Sequence, residues 1–394
     1  MSLHSVSMDS SPINKRLLSL DAMRGLIMVL MALDHASFFI AKTHSSEFWG
    51  TAMPRYDSAM PFLLRAVTHL CAPGFFLLMG VGMALFIAGR IREGWGNWRV
   101  ARFFLIRGVL LIAFQQFLEN PAWYLGSLGT APGAFLFRGG PIPGGGASSK
   151  FYLGVLYGLG STMVVWGLLF RLPTFAVIAV SISAIGLTQV VVSEFADPRT
   201  VYPPFLRMLL IPGHTDEWMV FYPTIPWMGI TGLGMVLGRL LQGHNAGVAR
   251  GLWISGAGAL VLFVIIRLFH GFGNFHLAEP GWIGFFNMTK YPPDLSFLLL
   301  TMGLDLLLLR SWIWFQSRNL SGGQTMAVFG SSPLLFYITH LYLYALIGWA
   351  FPHGMGLVQM LLVWIAGLLI LYPLCLWYGR FKQSRPTDSL WRLL

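Results

Sequence analysis

The feature that most constrains this chain is a succession of apolar runs, each about 20 residues long, joined by short polar or Gly/Pro-containing stretches. Runs of that length match the thickness of a bilayer's hydrocarbon core. In lipid no water is present to satisfy backbone N–H and C=O groups, so such runs must be helices. The balance of residue types agrees, with 56% hydrophobic and 10% charged, where a soluble domain carries about 25% charge. The spans are expected near 22–41, 66–89, 100–118, 151–170, 173–194, 219–241, 250–270, 294–314, 326–350 and 356–378. The expected fold is therefore all-α: a polytopic membrane protein with about ten transmembrane helices in one bundle. Residues 1–21 are expected to form a cytoplasmic N-terminal segment, 22–379 the membrane domain and 380–394 a basic cytoplasmic tail.

The formal net charge of +11 excludes little until its distribution is read. Lys15 and Arg16 precede the first span, and Arg90, Arg92, Arg99 and Arg102 surround the loop after the second. Arg171, Arg239, Arg250, Arg310 and Arg318 fall in later even-numbered loops, and Arg380, Lys382, Arg385 and Arg392 in the tail. All lie on one side if both termini are cytoplasmic, as basic residues retained inside require. That distribution argues for topology, with both termini on the cytoplasmic side, and against nucleic-acid binding. The longer connections, about 119–150 (with "GGPIPGGG"), 195–218 and 271–293, are then extracytoplasmic and able to roof an outward cavity. Trp49, Trp123, Trp218 and Trp282 on that side suit interfacial anchoring or stacking on sugar rings. Gly154/Gly158 and Gly234/Gly238 are spaced for close helix contact, within the chain or in a homodimer.

Ionisable groups inside spans are costly and so serve as candidate functional groups. Here they are Asp34, His35, Arg65, His69, Arg107, Arg267, Asp305 and His340, with Asp305 expected to pair with one of the arginines. In "SLDAMRGLIMVLMALDHASFF", Arg24 and His35 share a helix face about 16 Å apart along the axis. Asp21 lies near the same stripe, Met28 and Met31 form its apolar wall, and Asp34 points elsewhere, toward a neighbouring helix. In "RAVTHLCAPGFFLLMG", Arg65, His69 and Pro73 follow at four-residue intervals, and Pro73 is expected to bend the helix and free a carbonyl near His69. No metal site is expected, because no HxxxH or HExxH pair stands on one helix.

"RLLSLDAMRGLIMVLMALDH" and "FLLRAVTHLCAPGFFLLMGVGMALF" resemble the opening blocks of the heparan-alpha-glucosaminide N-acetyltransferase catalytic-domain family, in its bacterial branch. "YPTIPWMGITGLGMVLGRL", "KYPPDLSFLLLTMGLDLLLL" and "VFGSSPLLFYITHLYLY" are similar to its later blocks, in the same order. The Arg24-to-His35 spacing also resembles the arginine–histidine motif of the wider membrane acyltransferase superfamily. The resemblance implies a core of roughly ten helices and transfer of acetyl from cytosolic acetyl-CoA to an acceptor, often a sugar, across the membrane. It implies a catalytic or near-catalytic place for His35. In the eukaryotic lysosomal members the matching position is asparagine and the essential histidine follows later; His44 in "KTHSSEFWG" is its nearest counterpart.

The resulting expectation is an acetyl-CoA-dependent acyltransferase acting on an extracytoplasmic amino or hydroxyl group of a glycan. His35 or His44 is the general base; His69 polarises the thioester or orients the acceptor, and Asp34 supports the site. Asp21, Arg24, Met28, Met31, Arg65, Arg102 and Arg107 are the expected acetyl-CoA contacts, cations for phosphates and methionines for the pantetheine arm. A proton-coupled transporter would also use intramembrane His, Asp and Arg. A non-catalytic membrane protein on an acyltransferase-like fold is the other alternative.

Overall fold

A computed structural model of the protein describes residues 12–43, 47–127, 151–215, 217–243, 247–318, 322–386, 389 and 391. Among them the apolar runs fold as helices, and nine are long and apolar enough to cross a membrane. The chain begins with α1 (Pro12–Phe39), which starts ten residues earlier than the expected span. It continues through α2 (Ala59–Thr68), α3 (Cys71–Arg92), α4 (Asn97–Phe114) and α5 (Asn120–Ser127). A three-residue strand β1 (Phe151–Leu153) leads into α6 (Val155–Leu169) and α7 (Thr174–Val190). At 15 residues α6 is short for a span, a departure from the ten full crossings expected. After α8 (Pro204–Leu209) come β2 (Gly213–His214), β3 (Trp218–Val220), α9 (Thr224–Gln242) and α10 (Gly247–Phe269). The rest is α11 (Trp282–Phe286), α12 (Leu295–Ser317), α13 (Gly323–Ser331), α14 (Pro333–Ala350) and α15 (Leu357–Gln383).

Three of the expected spans are interrupted, two of them at a proline that the sequence supplies. The second run is two helices, α2 and α3, meeting at His69 and Leu70. Pro73 has no N–H to give to the His69 carbonyl, so the helical ladder lapses there. The run 326–350 divides at Ser332, with Pro333 in the first turn of α14, where its missing N–H costs nothing. The third run carries a π-helical turn, Gln115–Glu119, between α4 and α5. One wider turn rotates the following residues relative to a regular helix, a device frequent at functional sites.

The helices meet through small residues. A Cβ on Gly25 of α1 would overlap the Met326 carbonyl of α13, and one on Gly330 would overlap the Asp21 carbonyl. These two helices therefore touch backbone to backbone. Gly234 and Gly238 of α9 lie in the same way on Leu77 and Val81 of α3, and Gly158 of α6 lies against Tyr222 and Phe76, so both glycine pairs serve packing within the chain. The membrane-embedded core follows this scheme: close approach gives dispersion contacts where lipid offers no hydrophobic drive.

At the opposite end of α1 from Arg24, the connections build a roof with a small sheet that the all-α expectation did not include. β3 pairs parallel with β1 and antiparallel with β2. Beside it, Phe48 bridges to Tyr291, and the Glu47 carbonyl accepts the N–H groups of Lys290 and Tyr291.

Candidate active site

Two cavities lie along the face of α1 that carries Arg24 and His35. The larger, about 320 Å³, is bordered by Arg24 and Met28 of α1, Arg107 of α4 and Lys382 of α15. Its remaining wall is mostly apolar and includes Phe75, Met79, Phe86, Phe103, Leu159 and Met163. The smaller, about 60 Å³, is lined by Asp34, His35, Phe38, Glu119, Trp123, Tyr152, Phe221, Tyr222, Lys290 and Tyr291. Val155 and Tyr337 line both. One face of the molecule's first helix thus runs from a cationic, apolar-walled chamber to a small polar one.

The cationic end is held by backbone as much as by charge. Arg24 Nη1 donates to Asp21 Oδ1 at 2.6 Å and to the Gly330 carbonyl at 2.9 Å. That carbonyl is within reach because Gly330 lets α13 lie directly on α1. Arg107 Nε is buried without a hydrogen-bond partner among the described residues. A guanidinium is always charged and carries five donors, so an unmet donor beside a cavity marks a place for an anion. Met28 lines the chamber. Met31 is 5% exposed and packs in the core outside either lining, and Arg102 is exposed, also outside them.

At the polar end, α1 presents His35 against α14. His35 Nδ1 and His340 Nε2 are 2.7 Å apart. The ring planes are 15° from parallel with centroids 4.9 Å apart. With so short an N–N distance, that separation is two rings meeting edge to edge in a hydrogen bond, not a face-to-face stack. Trp123 stands edge-on to His35, with planes at 89°. The π-helical turn delivers Glu119, which accepts from Trp123 Nε1 at 3.1 Å and meets the Tyr337 hydroxyl. The roof delivers Lys290, 3% exposed, with Nζ 5.2 Å from the Tyr291 ring centre.

Asp34 turns away from His35, as adjacent helix positions must, and ties α1 to α2. It accepts from Arg65 Nη1 at 2.6 Å and from Thr68 Oγ1 at 2.9 Å. Arg65 also grips Glu47 with two parallel bonds, Nε to Oε1 at 2.8 Å and Nη2 to Oε2 at 2.6 Å. This fork-to-fork geometry is the strong form of an ion pair. Burial alone would raise the Glu47 carboxyl; Arg65, followed by His69, overcomes it and holds the carboxyl well below the usual carboxylate range. His69 Nε2 is 3.4 Å from Glu47 Oε1, an ion-pair distance without an aligned hydrogen bond.

The expected site residues are therefore divided. Asp21, Arg24, Met28 and Arg107 gather at one end, and Asp34 and His35 at the other. Arg65 stands with Asp34 and Glu47, about 15 Å along α1 from Arg24, and not with the cations of the larger cavity. His69 does not line either cavity, because Glu47 and the Phe297 ring, 5.4 Å away centre to centre, hold it. His44 lies outside the described residues, as does the "GGPIPGGG" segment. The expected ion pair of Asp305 is corrected. Both carboxyl oxygens are buried without a hydrogen-bond partner among the described residues, one of them beside Gly74, while Arg65 and Arg267 are engaged elsewhere. Arg267 donates to the Phe285, His276, Gly284 and Asn287 carbonyls and to Asn274, so it ties down the roof.

Glu47, Glu119 and Lys290 were not singled out from the sequence. Glu47 and Lys290 sit in connections, where charge is ordinary, and only the fold buries them. Glu119 carried a signal, an acid within an apolar stretch, which the span limit at residue 118 set aside. No group of three or more His, Cys, Asp or Glu side chains among the described residues is arranged to hold a metal ion.

A sequence-family model described as "Heparan-alpha-glucosaminide N-acetyltransferase, catalytic" matches residues 16–266. That stretch runs from α1 into α10 and contains Arg24, His35, Glu47, Arg65, Arg107 and Glu119. No curated protein matches the chain.

Proposed function

The chain belongs to the heparan-alpha-glucosaminide N-acetyltransferase catalytic family, and from that premise we propose that it transfers acetyl from cytosolic acetyl-CoA to an amino or hydroxyl group of an extracytoplasmic sugar. The observation that carries this reading is the pair of cavities on one face of α1. The chamber with Arg24, Arg107 and Lys382 suits the phosphates of CoA, and its apolar wall suits the pantetheine arm. The small chamber suits the reacting groups, and Val155 and Tyr337 stand where the two meet.

Acetyl-CoA supplies an activated thioester. His35, as general base, takes the proton from the acceptor as the new N–C or O–C bond forms and the C–S bond breaks. It then returns that proton to the departing sulfur, so neither a metal nor an acetylated side chain is required. Lys290 is the cation that lines this chamber and is assigned to the developing negative charge on the carbonyl oxygen. Asp34 and Arg65 hold α1 to α2, and through Glu47 to the roof, at the level of His35. Tyr152, Tyr222, Tyr291 and Trp123 give the acceptor chamber flat rings of the kind that stack on sugars.

The cationic chamber faces the cytoplasm in this reading. α3 and α15 bring Phe86 and Lys382 to it, and the neighbouring ends of those helices carry Arg90, Arg92 and Arg380, as retention of positive charge inside predicts. The chain is then an integral protein of a bacterial cytoplasmic membrane with both termini inside. The test is thiol release from acetyl-CoA by the purified protein with glucosamine as acceptor. His35→Ala is expected to abolish it while the protein still inserts in membranes; unchanged turnover removes His35 as the base.

A further inference from the structure

His340 lies 305 positions after His35 in the chain, beyond the stretch that the family model matches. It is fully buried on α14, enclosed by the Phe336, Tyr337 and Tyr344 rings. Its Nδ1 is 2.8 Å from the Phe336 carbonyl one turn earlier. A carbonyl oxygen only accepts, so Nδ1 carries the hydrogen. A neutral His340 then has its lone pair on Nε2, the nitrogen 2.7 Å from His35 Nδ1. For this bond to form, His35 must donate from Nδ1. In the neutral pair the basic nitrogen of His35 is therefore Nε2.

We infer that His340 is a positioning residue for His35: it fixes the tautomer that makes Nε2 basic and shares the positive charge when His35 takes a proton. The inference rests on the proposed role of His35 as general base. The chain Phe336 C=O, His340, His35 has the logic of a triad, with a neutral imidazole in the place usually held by a carboxylate. That substitution suits an apolar membrane interior, where a carboxylate kept ionised would need a cation of its own. The edge-to-edge ring geometry is what such a relay requires. A histidine that only filled space would not need Nε2 aligned on Nδ1.

The test is the pH dependence of kcat/KM for thiol release from acetyl-CoA with glucosamine, in wild type and His340 variants. Other groups face the same cavity: Asp34 on α1, Glu119 on the π-helical turn, Tyr152 on β1, Tyr222 before α9, Lys290 and Tyr291 before α12, and Tyr337 on α14. All are retained in every variant, so a moved limb reports His340. Glutamine places its amide oxygen near the position of Nε2, and asparagine does not reach it. His340→Phe keeps the ring packing and removes the acceptor.

His340→Phe is expected to lose about 10²–10⁴ in kcat/KM, as loss of a tautomer-fixing partner does. Any residual activity should rise with pH at a lower pH than in wild type, since the imidazolium has lost a partner. His340→Gln is expected to stay within about tenfold of wild type with its limb in place. The inference is overturned by wild-type kinetics in His340→Phe, or by equal loss in all variants with no displaced limb, which marks a purely structural role. Should His340→Phe fail to fold, the order Gln above Asn supports the inference, and Asn equal to or above Gln contradicts it. The underlying reading fails separately, through a wild type that releases no thiol or a His35→Ala variant that still does.

Discussion

Single residues that look alike in sequence do different work in the fold. Arg107 and Arg65 both stand in apolar runs, Arg65 buried and Arg107 half-buried. Arg65 is engaged by two carboxylates, Glu47 and Asp34, while Arg107 Nε beside the larger chamber has no hydrogen-bond partner among the described residues. Arg107→Ala should therefore raise the acetyl-CoA concentration for half-maximal rate by about tenfold or more while leaving thermal stability nearly unchanged, one charge-assisted hydrogen bond being worth about 1.5–3 kcal/mol. Titration of thiol release against acetyl-CoA reads the first and a melting curve the second. Glu47→Gln should do the reverse and destabilise the fold by about 3–5 kcal/mol, because Arg65 loses a buried partner. The Glu47 carboxyl is held below its unfolded value of 4.5. Its contribution is thus complete above that pH and lost as the pH falls below it. Melting curves at several pH values should show the gap between wild type and Glu47→Gln narrowing below about pH 4.5; a constant gap would refute the ion-pair assignment.

At the scale of elements, the site depends on interruptions of helices. The break at His69, the π-helical turn that ends at Glu119 and the division at Ser332 all occur beside one of the two cavities or the network that supports them. These were partly legible: Pro73 announced the first, Pro333 was present for the third, and nothing in the run "LIAFQQFLEN" specified a wider turn. The positions of the apolar runs were legible because burial in lipid demands about 20 residues of one kind. The face shared by Arg24 and His35 was legible for the same geometric reason, since helical periodicity alone places them. The partner of His35 was not, because a contact across 305 positions depends on how helices assemble. The close seat of α13 on α1 supplies a further test. Gly330→Leu should push α13 off α1, remove the carbonyl that holds Arg24 and lower the melting temperature together with acetyl-CoA affinity; a stable variant with unchanged affinity would show that the contact is dispensable.

Across the whole molecule, the proposed function needs one bundle to hold a thioester chamber and an acceptor chamber that open to opposite sides. Orientation can be read by itself. Cys71 and Cys375 are buried, so an added cysteine dominates labelling. A cysteine replacing Arg55 should react with a membrane-impermeant maleimide on intact cells, and one replacing Gly94 should react only after lysis; the opposite pattern inverts the topology. The most direct measurement combines sidedness with chemistry. The protein is reconstituted into liposomes, labelled acetyl-CoA is added outside, glucosamine is trapped inside, and vesicles with the Arg24 end outward are read. Acetylated glucosamine is expected in the lumen and CoA thiol outside, and neither with His35→Ala. Transfer only when both substrates share a compartment, or lumenal product that persists without His35, would contradict the proposed function.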